Sequence, residues 1–253
     1  MISIKSEREI ELIKEAGQIL VDTLKYLESN LHPGLKTKDI DIMCREYLKK
    51  RDAIPTELGF EGYPSSICVS VNDTVVHGIP NDYKLKNGDI VSLDLVVGYK
   101  GYQADACRTY AIGDISERRK YLLKHTEKAL FEGIKQVKPG NRVGDISNAI
   151  EEYAKKHNLG IVRELCGHGI GKEMHEDPDI PNFGDKNTGA RLKEGMVLCI
   201  EPMLTNGKRY VYVEDDDWTI NTEDGSDAAH FENTVLVTKD GYEILTEGLN
   251  FDE

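Results

Sequence analysis

The feature that most constrains this chain is that it says the same thing twice. Residues 33–50, PGLKTKDIDIMCREYLKK, and 139–156, PGNRVGDISNAIEEYAKK, share Pro-Gly, Asp-Ile, Glu-Tyr and Lys-Lys at a constant offset of 106. Further on, LKNGDIVSLD (85–94) is echoed by LKEGMVLCIE (192–201) at an offset of 107. Solenoid repeats run to about 20–50 residues, so this period is too long for one. It implies two like halves packed about a pseudo-twofold axis. In each half an acidic residue lies six positions after a turn glycine, Gly88 to Asp94 and Gly195 to Glu201, at the end of an apolar run. A twofold arrangement brings those carboxylates towards one central place.

Local signals follow the same plan. Ser6 with Glu9 forms a capping box ahead of apolar positions Ile10, Ile13, Leu20, Leu24 and Leu27, which predicts a helix over 7–29. Thr37 is expected to cap a helix through Lys50, with its echo over 143–157, and Ser116 to start another that ends before Pro139. Strands are expected at 66–72, 90–97, 102–112, 196–203, 210–214 and 229–238. The fold class is therefore α+β, with helices outside an antiparallel sheet. No Pro/Ser-rich linker divides the 253 residues, so one domain is expected over 1–253, its halves roughly 1–112 and 113–253.

The net charge of −13 argues against a nucleic-acid groove, which needs clustered Lys and Arg. No stretch approaches the ~20 apolar residues of a membrane span. MISIKSEREIELIKEAG has a helical, charged pattern rather than that of a targeting segment, and a cytoplasmic location is expected. The five cysteines are odd in number, scattered and without a Cys-x-x-Cys, which disfavours a disulfide framework or zinc ribbon.

Asp94 stands in GDIVSLDLVV, which reads as a strand buried on both faces. An ionised carboxylate there costs several kcal/mol unless a cation meets it. If Tyr99-Lys100 form a two-residue hairpin loop, Gly98 pairs Gly101 and Asp94 pairs Asp105, with Cβ atoms about 4.5–5.5 Å apart. Two such carboxylates share a proton or a metal ion. Glu201 in VLCIEPM and Glu232 in AAHFENTVLVT are similarly misplaced, though a glutamate beside Pro202 can also be a plain strand end. CGHGIGKEMHEDP offers His168 and His175; the glycines let backbone approach closely, and no Lys-Ser/Thr follows them as a phosphate loop requires. Four carboxylates and one imidazole suit more than one divalent ion, with Mn²⁺, Fe²⁺ or Co²⁺ at least as fitting as Zn²⁺.

These residues resemble the type I methionine aminopeptidases, of the pita-bread fold shared with creatinase and prolidase, from about Ser6 to Thr246. The motifs are GYPSSICVSVNDTVVHGIP (62–80), the two aspartates eleven apart, GHGIGKEMHEDPDIPNFG (167–184), EGMVLCIEPM (194–203) and DAAHFENTVLVT (227–238). The resemblance implies a curved antiparallel sheet and two metal ions. Asp94 binds one ion, His168 and Glu201 the other, and Asp105 and Glu232 bridge. It implies a bridging hydroxide that attacks the carbonyl after an N-terminal methionine when the second residue is small. Glu201 passes the proton, His77 lies near the scissile amide, and His175 steadies the carbonyl or oxyanion. A methionine pocket is expected from Phe60, Tyr63, Cys68, Met174 and Trp218, with His77 and His175 at its edge.

His32, His125 and His157 are read as structural or exposed, and His230, two residues from Glu232, is left open. Two departures from the family pattern stand out: Ala104 and Ala106 flank Asp105, and Glu57 stands where a small or apolar pocket residue is expected. Expected partners are the N-terminal peptides of new chains and the ribosome, with no membrane or nucleic acid, and the chain is expected to be a monomer. Its own Met1 is expected to stay because Ile2 is large. The rival readings are an Xaa-Pro aminopeptidase or prolidase using the same five ligands, and a pita-bread binding module without catalysis.

Overall fold

Helix α1, Glu7–Glu28, opens with the expected capping box: Glu9 N donates to Ser6 Oγ at 3.4 Å, and Ser6 N to the Glu9 carboxylate at 2.8 Å. Its apolar stripe of Ile13, Leu20, Leu24 and Leu27 is fully buried. The structure, a computed structural model, describes residues 2–249, so the expectation about Met1 lies outside the described residues. Helices α2 (Thr37–Lys49), α3 (Glu117–Ile134, capped by Ser116) and α4 (Val143–Lys156) end within a residue or so of their expected limits, α3 falling short of Pro139. Thr37 is not a cap, however. It is the first helical residue, and its hydroxyl is engaged with Asn81, donating to O at 3.0 Å and accepting from N at 2.8 Å.

The duplication is structural. In the first half, strand Ile90–Tyr99 lies between Cys68–Val71 and Tyr102–Ala111; in the second, Val197–Ile200 lies between Cys166–Gly169 and Asn233–Val237. All these pairings are antiparallel. Even the isolated bridges repeat, Lys36 to Lys84 and Arg142 to Arg191, with the sequence offsets of 106 and 107. Helices α1 and α2 pack with the first sheet, and α3 and α4 with the second. The inner strands of the halves meet at a seam. Asp105 N donates to Thr234 Oγ1 at 2.9 Å, that hydroxyl donates to Asp105 O at 2.7 Å, and Glu232 N donates to Cys107 O at 3.0 Å.

Two of the expected strands are each broken in two. Residues 196–203 give Val197–Ile200 and Met203–Thr205, which belong to different sheets, with Glu201 and Pro202 between them. Residues 229–238 give Ala228–His230 and Asn233–Val237, with Phe231 and Glu232 between. Proline cannot donate to a ladder, which ends the first run at that point. Both glutamates thus occupy corners where the chain changes sheet.

The Asp94 hairpin differs from expectation. The loop is Lys100-Gly101, with Tyr99 opposite Tyr102, so Asp94 faces Cys107 and Asp105 faces Val96. Lys100 and Gly101 both have positive φ, 49° and 84°, as the favoured two-residue hairpin turn demands, and glycine meets that demand at 101. The shift is by two positions rather than one, so Asp94 and Asp105 remain on one face as diagonal neighbours.

Behind the seam lies Arg108, fully buried. Its guanidinium donates to Cys107 O at 2.7 Å, Leu249 O at 2.9 Å, Asn233 Oδ1 at 3.0 Å and also Glu232 O. Sequence reading missed it, because an arginine in a strand normally faces water. Arg108→Leu orphans these acceptors and is expected to cost about 3 kcal/mol, roughly 6–12 °C in Tm. Calorimetry of the variant checks this; an unchanged midpoint would show the guanidinium to be dispensable.

Candidate metal centre

Asp94, Asp105, His168, Glu201 and Glu232 line one cleft of about 470 Å³. The first half supplies Asp94, the second His168 and Glu201, and the seam Asp105 and Glu232. His168 Nε2 stands 3.7 Å from Asp105 Oδ2 and 3.6 Å from Glu201 Oε1, while its Nδ1 lies 2.9 Å from Gly169 O. That backbone contact fixes Nδ1 as the protonated nitrogen and leaves Nε2 a lone pair facing the carboxylates. Gly167 and Gly169 make the strand's close packing possible: a Cβ at 167 would strike Cys199 O, and one at 169 would strike Asp177 O.

Four carboxylates in so small a space raise one another. Burial, with its backbone contact to Leu95 opposing, pushes Asp94 up to about 7. Burial and then the neighbouring carboxylates push Asp105, Glu201 and Glu232 well above the ordinary range. Asp105 Oδ1 and Glu232 Oε1 have no hydrogen-bond partner among the described residues. Asp105, His168 and Glu232 also present ligand atoms within 4.8 Å of one another, with Cys199 beside them. Burial and then Glu232 push the Cys199 thiol up, so it stays protonated. Orphaned buried oxygens, mutual repulsion and an imidazole lone pair are what a divalent cation relieves, and the donor set fits one.

A second cavity of about 240 Å³ opens beside the first, and Asp94, Asp105, His77 and His175 line both. Its other walls include Phe60, Tyr63, Cys68, Met174 and Trp218, so every pocket residue expected from sequence comes together here. The Tyr63 hydroxyl donates to Gly78 O at 2.9 Å, and the Trp218 ring meets Tyr63 edge-on at 5.0 Å and His77 at 6.1 Å. His77 has a left-handed backbone, φ 56°, the kind of strain found at functional positions. Burial, then His175, lowers its pKa to about 4, so the ring is neutral near pH 7. His175 is exposed at the cleft, its ring edge-on to His168 at 4.4 Å. His125 and His157 stack on each other between α3 and α4, away from both cavities.

Glu57 is the departure with consequences. It lines the smaller cavity, is buried, and its Oε2 has no hydrogen-bond partner among the described residues. Burial first, then Asp94 and Asp105, push its carboxyl well up, so the pocket wall carries a neutral acid. Glu57→Leu is expected to raise stability by about 1–3 kcal/mol, since an unsatisfied buried polar group is removed. Thermal unfolding of the variant decides; a lower midpoint would mean that Glu57 is satisfied.

A two-half α+β frame that gathers four carboxylates and several imidazoles over one cleft is the kind of centre a metallopeptidase uses. The chain matches metallopeptidase family M24 over residues 11–239 and belongs to that family. It is 48% identical over 247 residues to a methionine aminopeptidase of Clostridium acetobutylicum, covering 97% of this chain and 99% of that one. The crystal structure of methionine aminopeptidase from Rickettsia prowazekii matches with a TM-score of 0.96 at 42% identity, over 97% of this chain and all (100%) of that one. The prolidase from Pyrococcus horikoshii shares the fold, with a TM-score of 0.77 at 23% identity over 96% of this chain and 63% of that one. The fold is the pita-bread fold, as the resemblance implied.

Proposed function

We propose that the chain is a metal-dependent aminopeptidase that removes the N-terminal methionine of new proteins when the second residue is small. One observation carries the reading: a pocket of aromatic and sulfur-bearing side chains shares Asp94, Asp105, His77 and His175 with the carboxylate cleft. A thioether seated among Phe60, Tyr63, Cys68, Met174 and Trp218 brings the next peptide bond to the carboxylates. The 48% identity to a protein named methionine aminopeptidase supports the same substrate.

Asp94, Asp105, His168, Glu201 and Glu232 would hold two divalent ions, with Mn²⁺, Fe²⁺, Co²⁺ and Zn²⁺ as candidates. When bound, such ions supply Lewis acidity to the scissile carbonyl and activate water. Glu201 accepts and passes the proton, at a carboxylate whose buried, crowded setting favours holding one. His77, neutral at working pH, hydrogen-bonds the scissile amide, and His175 steadies the carbonyl oxygen. The two halves act as one catalytic domain, since the proposed ligands come from both. An enzyme that acts on new chains is expected to work in the cytoplasm, near the ribosome.

The substrate reading is tested with Met-Ala-Ser, Met-Arg-Ser and Ala-Pro-Ser peptides. Cleavage of the first far above the other two is the expected outcome. Cleavage of Ala-Pro-Ser alone would move the chain to the Xaa-Pro branch of the fold.

A further inference from the structure

His230 is 2% exposed, and neither ring nitrogen has a hydrogen-bond partner among the described residues. An imidazole so placed costs free energy unless something else engages it. Its surroundings show what that is. Nδ1 lies 3.8 Å from Asp94 Oδ2, and Nε2 lies 3.7 Å from Glu201 Oε2. Both distances are too long for hydrogen bonds. They match the 3.7 and 3.6 Å at which His168 faces Asp105 and Glu201. Donors about 2.0–2.2 Å from one ion stand roughly 3–4 Å from each other, so this is the spacing of side chains that share a cation.

The ring is also held where it is. His230 N donates to Thr109 Oγ1 at 2.9 Å, and that hydroxyl donates back to His230 O at 2.9 Å. The Cys107 thiol donates to the same carbonyl at 3.4 Å. Asp94, Cys107 and His230 present ligand atoms within 4.8 Å of one another. The Cys107 sulfur is already engaged with the His230 carbonyl, whereas the imidazole nitrogens face the carboxylates, which makes the imidazole the nitrogen donor beside Asp94.

We propose that His230 is a sixth protein donor to the centre, with Nδ1 on the ion held by Asp94 and Nε2–H turned to the Glu201 carboxylate. This rests on the metal reading above and extends it: each ion then has one nitrogen ligand, both drawn from the second half of the chain. A nitrogen at the Asp94 position shifts preference from hard ions towards Co²⁺, Fe²⁺ or Zn²⁺.

The test loads metal-stripped protein with Co²⁺ alone and records the hyperfine-shifted, solvent-exchangeable imidazole N–H protons by NMR, beside calorimetric Co²⁺ titration. His168 contributes one such proton through Nδ1–H, and His230 is expected to contribute another through Nε2–H. In His230→Gln, which keeps size and polarity, one resonance is expected to vanish while the His168 resonance stays. One Co²⁺ dissociation constant is expected to rise about tenfold or more. His230→Asn serves as a second variant should the first fail to fold. Identical resonances and affinities in wild type and a folded variant would overturn the proposal. No Co²⁺ binding to the wild type would overturn the metal reading itself, and this proposal with it.

Discussion

Asp94→Asn and Glu232→Gln are expected to lose turnover by more than about 100-fold while the metal-free proteins become more stable. The two effects have one cause. Glu232 is 2% exposed, in a corner between sheets, and its pKa is raised by burial and then by Glu201 and Asp94. Without a cation, each carboxylate is a burden on the fold, and an amide of the same shape removes charge without opening a cavity. With a cation, the same carboxylate is a ligand. Even the outer partners of metal ligands are worth roughly 10–100-fold in affinity or activity, so a ligand itself should exceed that. Activity assays paired with thermal unfolding in chelator check both halves. Full turnover in either variant would remove that residue from the centre, and a lower metal-free midpoint would show that its carboxylate stabilises the fold unaided.

Stripped of metal, the protein is expected to lose stability as pH rises, and Mn²⁺ to restore it increasingly well. The sign follows from proton counts. An unfolded Asp94 releases its proton near 3.8, whereas the folded one holds it to about 7. Between those values the folded state binds more protons than the unfolded state, so stability falls with pH. The slope is about 1.4 kcal/mol per pH unit for each such group. Asp105, Glu201 and Glu232 shift in the same direction. A bound cation replaces these protons. At free metal about 1,000 times Kd the stabilisation is about 4 kcal/mol, or roughly 10 °C in Tm for a chain of this size. Midpoints at pH 5 and pH 8, with chelator and with Mn²⁺, measure the gap. A gap that does not widen with pH would separate metal binding from these carboxylates.

Much of this was legible in the sequence because two signals were unusually strong. The repeat at 106–107 residues announced two like halves, and the bridges from Lys36 and Arg142 reproduce it in three dimensions. Carboxylates within apolar runs announced a site, since a buried strand does not keep a bare charge without a cation to meet it. What escaped was set by local geometry or by tertiary context. The hairpin register depended on which residues take positive φ, and a Gly-Tyr-Lys-Gly run allows more than one choice. Strands such as Thr74–Val76 and Ile220–Thr222 are three residues long and carry no alternation to read. Glu201 and Glu232 were placed in continuous strands, although Pro202 already hinted at the corner. Arg108 gave no signal of burial and Glu57 one only through the family pattern, because their environment is assembled from segments far away in the chain.

Release of free methionine from Met-Ala-Ser, followed while metal-stripped protein is titrated with Mn²⁺, bears most directly on the centre. No release from the stripped protein, and release that rises with bound metal until the sites fill, is the expected result. Release undiminished after stripping would contradict a metal-dependent site built from Asp94, Asp105, His168, Glu201 and Glu232.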